Sequence, residues 1–386
     1  MKPGPQVQTP TGLIVLASGQ VMPNIKSLLW AIKKANLSAL AIVASGVDES
    51  QKAADRLAKL VTKINAGKIA DFRTNEPVAV EVFVERDIDR FPERLSPRLT
   101  SFIEKQREKI PHWMINFTAG SKIMFLSLLS HFRTSVQEWH YLEGARSGRW
   151  SRYRIDQDLS ITTEELEIPD YTDDLPLDEL VYLISGKTVK LSPLTDLPGV
   201  TQLTDSLLKA KWHMRKGFAE AGAKLSENTH SSQKGLLFEA YVARCVRALG
   251  VKNVALNLEI VGSKGMPVNE IDIVCVHQGT IHLLDLKSAG KSSTLKIGEH
   301  LRAVQTSARL LGGNSGKVAL VWPAIGLNEE MVDWAQTLRI DYMGPEHKSR
   351  IFSFLAKFFG CKNAYGSLDE KLEKAHRSGN PMHASG

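Results

Sequence analysis

The sequence predicts an α/β protein built as two folded units, and three observations lead there. Apolar runs of strand length alternate with segments of helical spacing through the first 150 residues. The last third carries a second alternation, whose central strands put acidic and basic side chains on one face. Charge also divides the 386 residues. Residues 1–150 hold 21 basic and 14 acidic side chains (net +7), 151–207 hold 4 and 12 (−8), and 208–386 hold 24 and 16 (+8). The chain's formal +7 therefore conceals two basic ends around an acidic middle. Basic domains commonly meet nucleic acid or other polyphosphates, although solvated lysine faces produce the same count.

Length and composition narrow the class further. A chain of 386 residues corresponds to two or three domains, and 43% apolar with 24% charged residues is globular composition. No apolar run approaches the ~20 residues that span a bilayer. The run at 13–17 follows a Pro-rich leader, is too short for the core of a signal peptide, and reads as a first strand. Cys245, Cys275 and Cys361 are odd in number and contain no CxxC pair, which excludes a zinc ribbon or disulfide framework. A reducing cytoplasm is expected.

In the first part, strands are expected at 13–17, 39–44, 78–84, 114–117 and 138–142. Between them, residues 25–36, 48–64, 95–109 and 122–132 have helical spacing, with Asn24 as N-cap of the first. Repeated strand–helix–strand units imply right-handed crossovers and a mostly parallel sheet covered on both faces, a Rossmann-like domain over 1–150. Such sheets bind ligands beyond the carboxyl ends of their strands, near the reversal of strand order. Two loops fit that place: Ser18-Gly19-Gln20-Val21-Met22-Pro23-Asn24 and Asn116-Phe117-Thr118-Ala119-Gly120-Ser121-Lys122. Small residues let the backbone approach a ligand, and free N–H groups at a helix start attract phosphate. The second loop taken alone also fits an ordinary capped helix with a surface lysine. No GxGxxG follows the first strand, so a dinucleotide site is unsupported, and GGNSGK at 312–317 lacks P-loop spacing.

Residues 151–207 are read as an acidic connector or small middle region. It contains one strand at 153–161, an acidic loop at 170–178, and a short helix or strand at 180–184. Residues 209–217 (KAKWHMRKG) form a basic helix, either touching nucleic acid or solvated, that opens the third part at 208–386.

That third part holds the chemistry. An amphipathic helix at 236–249 carries Glu239 beside Phe238, Val242, Cys245 and Leu249. Two strand-like segments follow, Asn269 to Val276 and Ile281 to Lys287, joined by a turn at Gln278-Gly279. A two-residue loop pairs 277 with 280, then 276 with 281, down to 272 with 285 and 270 with 287. Glu270, Asp272, Asp285 and Lys287 then share one face, and Ile271, Ile273, Leu284 and Leu286 point to the core. A slip of one residue would scatter the set. Two close carboxylates repel unless a cation lies between them, and oxygen-only ligands suit Mg²⁺ or Mn²⁺. Lys287 beside such an ion could orient or deprotonate a water, and Glu239 could complete the shell. A solvated strand face with Glu–Lys pairs is the plainer reading of Asp-x-Lys alone.

A Glu in a first helix, an Asp on a strand and Asp-x-Lys on the next resemble the PD-(D/E)xK nuclease superfamily, over roughly 230–325. A helix at 299–311 and a strand at 317–322 complete the match, and Asp285 stands where Glu is more usual. The segment Asn116-Phe117-Thr118-Ala119-Gly120-Ser121-Lys122-Ile123-Met124 is similar to the N-x-T-G-G-T-K-x-M segment of CARF domains, the CRISPR-associated Rossmann-fold ligand sensors. Gln20, Pro23 and Asn24 match that group's first-strand loop, while Ala119 and Ser121 depart from it. The order of the two resembles the CRISPR ancillary nucleases of type III systems.

The resemblance implies a restriction-endonuclease-like α/β/α domain behind a CARF domain, in a homodimer activated by a cyclic oligoadenylate, in the first place cyclic tetra-adenylate. Ser18, Gln20, Pro23, Asn24, Thr118, Ala119, Gly120, Ser121 and Lys122 would bind the ring. Glu239, Asp272, Asp285 and the Leu286 backbone carbonyl would bind Mg²⁺ or Mn²⁺, and Lys287 would complete a catalytic set cutting DNA or RNA. Two other readings stay open: a repair or restriction-type endonuclease with a different nucleotide sensor, and a binding protein with a degenerate nuclease fold. The R-x4-H string from Arg107 to His112, a HEPN ribonuclease signature, is assigned to chance because Pro111 interrupts a helix there.

Overall fold

The computed structural model describes residues 9–192, apart from 75, 92–94, 144–148, 157 and 159. It also describes 231–361, apart from 262–266, 288–293, 313–315, 323–325 and 345–350. The basic segment 209–217 and the tail from 371 lie outside the described residues. The chain divides into two compact units, Met1–Gly186 and Lys187–Gly386.

The first unit opens with β1 (Thr11–Ala17), α1 (Met22–Lys34), β2 (Leu37–Ser45), α2 (Asp48–Asn65) and β3 (Ala79–Glu85). Next come α3 (Pro97–Gln106), β4 (His112–Asn116), α4 (Lys122–Phe132) and β5 (Glu138–Leu142). β6 (Arg149–Ile155), β7 (Ile161–Glu167) and α5 (Leu177–Ser185) close it. Its seven-stranded sheet runs β3-β2-β1-β4-β5-β6-β7, parallel from β3 to β5 and antiparallel beyond. β1 thus has β2 on one side and β4 on the other, so strand order reverses between β1 and β4. Every residue of β1 is buried, as a central parallel strand covered on both faces requires. Trp113 and Trp139 fill the core beneath α3 and α4.

Three expectations are corrected here. α1 begins at Met22, with Pro23 in its first turn, so Asn24 is inside the helix and not its N-cap. The single strand at 153–161 is instead the end of β6 and the start of β7, paired antiparallel with Ile155 opposite Ile161. The acidic stretch is no separate connector, since 151–186 completes the first sheet and packs α5 on α2, while β8 (Val189–Ser192) joins the second sheet. Its acids neutralise the basic residues before it. Lys26 pairs with Asp170 at 2.7 Å, Lys33 with Asp174 at 3.7 Å, and Lys63 with Glu179. Arg149 and Arg152 pair with Glu165 and Glu164 on β7. Residues 1–186 therefore hold 23 basic against 24 acidic side chains, and the first unit has no net basic excess.

The second unit holds a six-stranded sheet in the order β13-β12-β11-β10-β9-β8. After β8 come α6 (Ser231–Ala248), β9 (Asn253–Val261), β10 (Pro267–His277) and β11 (Thr280–Leu286). α7 (Thr294–Gly312), β12 (Lys317–Val321), α8 (Glu329–Thr337), β13 (Ile340–Met343) and α9 (Ile351–Phe359) follow. β8 to β11 are antiparallel, and β11, β12 and β13 are parallel. One face of α6, with Phe238, Val242 and Cys245, packs on Ile273, Leu284 and Leu286 in a core that α9 also covers.

Candidate functional site

In the first unit, the loops after β1 and β4 meet at the reversal of strand order. Asn116, the last residue of β4, is fully buried and holds both loops. Its Nδ2 donates to the Pro23 carbonyl at 3.1 Å and to Asn24 Oδ1 at 3.2 Å. Its Oδ1 accepts from Thr118 N at 3.1 Å and from Thr118 Oγ1 at 2.8 Å. Asn24 in turn donates to the Leu16 carbonyl at 2.8 Å. Asn24 and Pro23, expected to touch a ligand, are buried braces of the loop pair. Ala119 is buried as well. Gln20, Ser121 and Lys122 are exposed, and Ser18, Thr118 and Gly120 are half-buried.

The start of α4 has the form an anion needs. Ser121 caps it, accepting from Met124 N at 3.1 Å, and its first turn carries no acid. Gly120 is required for closeness, because a Cβ there would stand 2.3 Å from Leu16 Cδ1. On the neighbouring strand, Leu142 N donates to Thr118 Oγ1 at 2.7 Å and fastens the loop to β5. This region also holds an aromatic run that sequence spacing did not reveal, in which Phe117 stacks on Tyr141 with centroids 5.3 Å apart.

In the second unit, the β10–β11 hairpin has the expected register: 277 pairs with 280, 276 with 281 and 273 with 284. Gln278 and Gly279 both have positive φ, 52° and 69°, as a two-residue turn of matching twist demands. The described ladder ends at Ile273, just before the charged residues. There Asp272 Oδ2 accepts from Leu286 N at 2.5 Å. Lys287 Nζ donates to Asp285 Oδ1 at 2.7 Å and lies 3.7 Å from Asp272 Oδ2. Lys287 is not held by the expected pairing with Glu270; its backbone N donates to the Val321 carbonyl of β12. Glu270 is exposed and pairs in the ladder with Glu259 of β9.

Electrostatics mark this cluster as strained in charge. Burial, followed by the nearby Asp285 carboxylate, pushes the Asp272 carboxyl well above the usual range against the pull of Lys287. Burial and then Glu270 push Glu239, on α6, up to about 7. Lys287 is raised despite its burial, because Asp285 and Asp272 outweigh that effect. Glu239 Oε2 is buried with no hydrogen-bond partner. A residue of the next helix that the spacing argument missed also stands here: His300 of α7 points Nδ1 at Asp285 Oδ2, 4.0 Å away, and sets its ring edge against Trp322. Its separation from the hairpin in sequence left no signal.

The three carboxylates Glu239, Asp272 and Asp285 suit a hard cation in donor chemistry, and one of their oxygens, Glu239 Oε2, is buried and orphaned. They are not a ready-made cage: among the described residues, no three Asp, Glu, His or Cys side chains are grouped to hold an ion. Among the described residues, no helix is long and apolar enough to cross a membrane.

No family model matches the chain, and no curated protein matches it in sequence. Solved structures do. Protein VC1899 from Vibrio cholerae superposes with a TM-score of 0.67 at 14% identity, covering 91% of this chain and 98% of that one. Can2 from Sulfobacillus thermosulfidooxidans, solved in complex with cyclic tetra-adenylate, gives 0.61 at 15% identity over 90% and 99%. A type III CRISPR defence DNA nuclease activated by cyclic oligoadenylate gives 0.53 at 18% identity over 88% of this chain and 48% of its own. The chain thus shares the fold of VC1899 and Can2, and of about half of that CRISPR defence nuclease, an α/β arrangement in which a mostly parallel seven-stranded sheet precedes a mixed six-stranded one.

Proposed function

We propose that the protein is a nuclease of type III CRISPR defence, switched on by a cyclic oligoadenylate bound at the first unit, with cyclic tetra-adenylate as the leading candidate. The observation that carries this reading is the Asp272–Lys287–Asp285 cluster, which lies just beyond the described end of the β10–β11 ladder. A chance Asp-x-Lys on a solvated strand would have no half-buried Asp held against it by the Leu286 N–H and no orphaned Glu239 oxygen beside it.

Asp272, Asp285, Glu239 and the Leu286 carbonyl would hold Mg²⁺ or Mn²⁺, which when bound supplies positive charge to a phosphodiester gaining negative charge. The chain's own residues do the rest. The Leu286 N–H fixes the Asp272 carboxylate, so its second oxygen has one direction available. Lys287, held at Asp285, places a donor where an attacking water must be oriented. At the first unit, Ser121 and Lys122 receive phosphate, and the exposed loop of Ser18 and Gln20 faces the same ligand. Pro23 and Asn24 act through Asn116 by keeping the loops together. A symmetric ring ligand suits a homodimer with a two-fold axis through paired sensor units. Activation then requires that the ring bind the active arrangement more tightly than the idle one.

The deciding assay incubates purified protein with labelled RNA and with labelled DNA, in Mg²⁺ or Mn²⁺, with and without cyclic tetra-adenylate. Cleavage that appears on adding the ring supports the reading. Cleavage that is the same with every ring size and without any would refute the signalling role and favour a repair or restriction-type enzyme. No cleavage under any condition would refute the nuclease.

A further inference from the structure

Residues 140 and 142 of β5 are both tied to the β4–α4 loop. Phe117 N donates to the His140 carbonyl at 3.2 Å, and Leu142 N donates to Thr118 Oγ1 at 2.7 Å. Tyr141 lies between these bonds, so its side chain leaves the strand beside the loop. An aromatic run ends there. Trp139 sets its edge on Phe125 at 5.8 Å, Phe125 packs on Phe117 at 4.3 Å, and Phe117 stacks on Tyr141 at 5.3 Å with 28° between planes. Exposure rises along it, from 1% at Trp139 to 39% at Tyr141. The first rings are core. The last contributes little to the core yet is held in orientation by the ring beneath it.

We propose that Tyr141 is the platform on which a purine base of the bound oligoadenylate stacks, completing a site whose phosphate contacts come from the start of α4. This rests on the oligoadenylate reading of the first unit. The chemistry is that of single-strand binders, where an aromatic face accepts a base and a nearby cation and amides take the backbone. A ring already fixed by Phe117 loses little freedom on binding, which favours affinity. The loop's own exposed residues, Gln20, Ser121 and Lys122, are polar and offer a base no flat apolar surface.

The test titrates the full chain with cyclic tetra-adenylate carrying one 2-aminopurine, comparing the native protein with Tyr141→Phe, Tyr141→Leu and Tyr141→Ala. Stacking on tyrosine quenches 2-aminopurine fluorescence. We expect Tyr141→Phe to bind within about twofold of native, and Tyr141→Ala and Tyr141→Leu to bind about tenfold or more weakly. Those two should also lose the quench while unfolding temperature and oligomeric state stay unchanged. Native affinity in Tyr141→Ala or Tyr141→Leu would overturn the platform alone. So would a loss of binding in Tyr141→Leu that tracks a change in oligomeric state, which would make the ring a contact between copies of the chain. If the native protein binds no cyclic oligoadenylate of any ring size, the reading beneath the proposal falls, and the platform with it.

Discussion

Lys287 Nζ stands 2.7 Å from Asp285 Oδ1 and 3.7 Å from Asp272 Oδ2, one residue past the end of β11, and so bridges two carboxylates that would otherwise repel. Removing either kind of charge has a different consequence. Lys287→Ala leaves the acids unbalanced and removes the donor for a water. Asp272→Asn removes a charge but keeps the oxygen that accepts from Leu286 N–H. Both should reduce cleavage by about 10² or more, the range for a positioned catalytic group. Cyclic tetra-adenylate binding at the other unit should be spared. Only Asp272→Asn should raise the unfolding temperature in EDTA, and only at alkaline pH, where the native Asp272 is ionised and repels Asp285; cleavage rates and thermal melts on the same samples test both statements.

The raised carboxyls make stability without metal depend on pH in a stated direction. Glu239 is pushed up to about 7 and Asp272 is raised too, both with burial as the first cause. A carboxyl whose folded value lies above its unfolded one favours the folded state while protonated. Its contribution is fully present below the unfolded value near 4.5 and fades as pH rises to 7 and beyond. The unfolding temperature in EDTA should therefore fall between pH 5 and pH 8. If these carboxylates hold Mn²⁺ as proposed, they do so ionised, and its stabilisation should be larger at pH 8 than at pH 5.5. Glu239→Gln should flatten the EDTA profile; an unchanged slope in that variant would show that Glu239 is not responsible.

How much of this was legible in sequence depends on how local the signal is. Helix 122–132 and strand 138–142 match α4 and β5, because capping and apolar runs are short-range features. The hairpin register followed from the two-residue turn at Gln278-Gly279, which sets the pairs from 277 with 280 down to 273 with 284. β9, with its alternating Val254, Leu256, Leu258 and Ile260, carries a period-two signal of the same local kind. His300 and Tyr141 were hidden for another reason. Each reaches its site across a crossover or a neighbouring strand, and no spacing along the chain encodes that. Charge misled in the same way, since Asp170, Asp174 and Glu179 find lysines more than a hundred residues earlier.

Gly120 tests the tightness of the loop after β4. An added Cβ would meet Leu16 Cδ1 at 2.3 Å and Leu16 Cβ at 2.8 Å, and Leu16 is fully buried at the end of β1. Neither neighbour is the free end of a surface side chain, so the loop or the strand must move. Gly120→Ala should cost about 1–3 kcal/mol by overpacking, read as a lower unfolding temperature. Because the displaced segment is the turn proposed to receive the ligand's phosphates, affinity for cyclic tetra-adenylate should fall in the same variant. Gly19, with open space around its would-be Cβ, is the control, and Gly19→Ala should leave stability unchanged within about 0.5 kcal/mol.

Asn116 separates positioning from contact. It is fully buried, donates to Pro23 and Asn24, and accepts twice from Thr118, so it joins the two loops without being exposed to a ligand itself. Asn116→Ala leaves Thr118 N and Asn24 Oδ1 short of a partner, at about 1–3 kcal/mol for each group that stays buried and unpaired. Asn116→Asp keeps the acceptor for Thr118 but loses the donor and buries a charge, so it should be at least as harmful. Both variants should weaken cyclic tetra-adenylate binding through loop disorder. Lys122→Ala should weaken it through lost attraction alone, with a salt dependence shallower than native. Binding isotherms at two salt concentrations distinguish them: the Asn116 variants should keep the native salt slope at reduced affinity. A flattened slope in Asn116→Ala would mean that the brace acts on the charge at Lys122 and not on the shape of the loops.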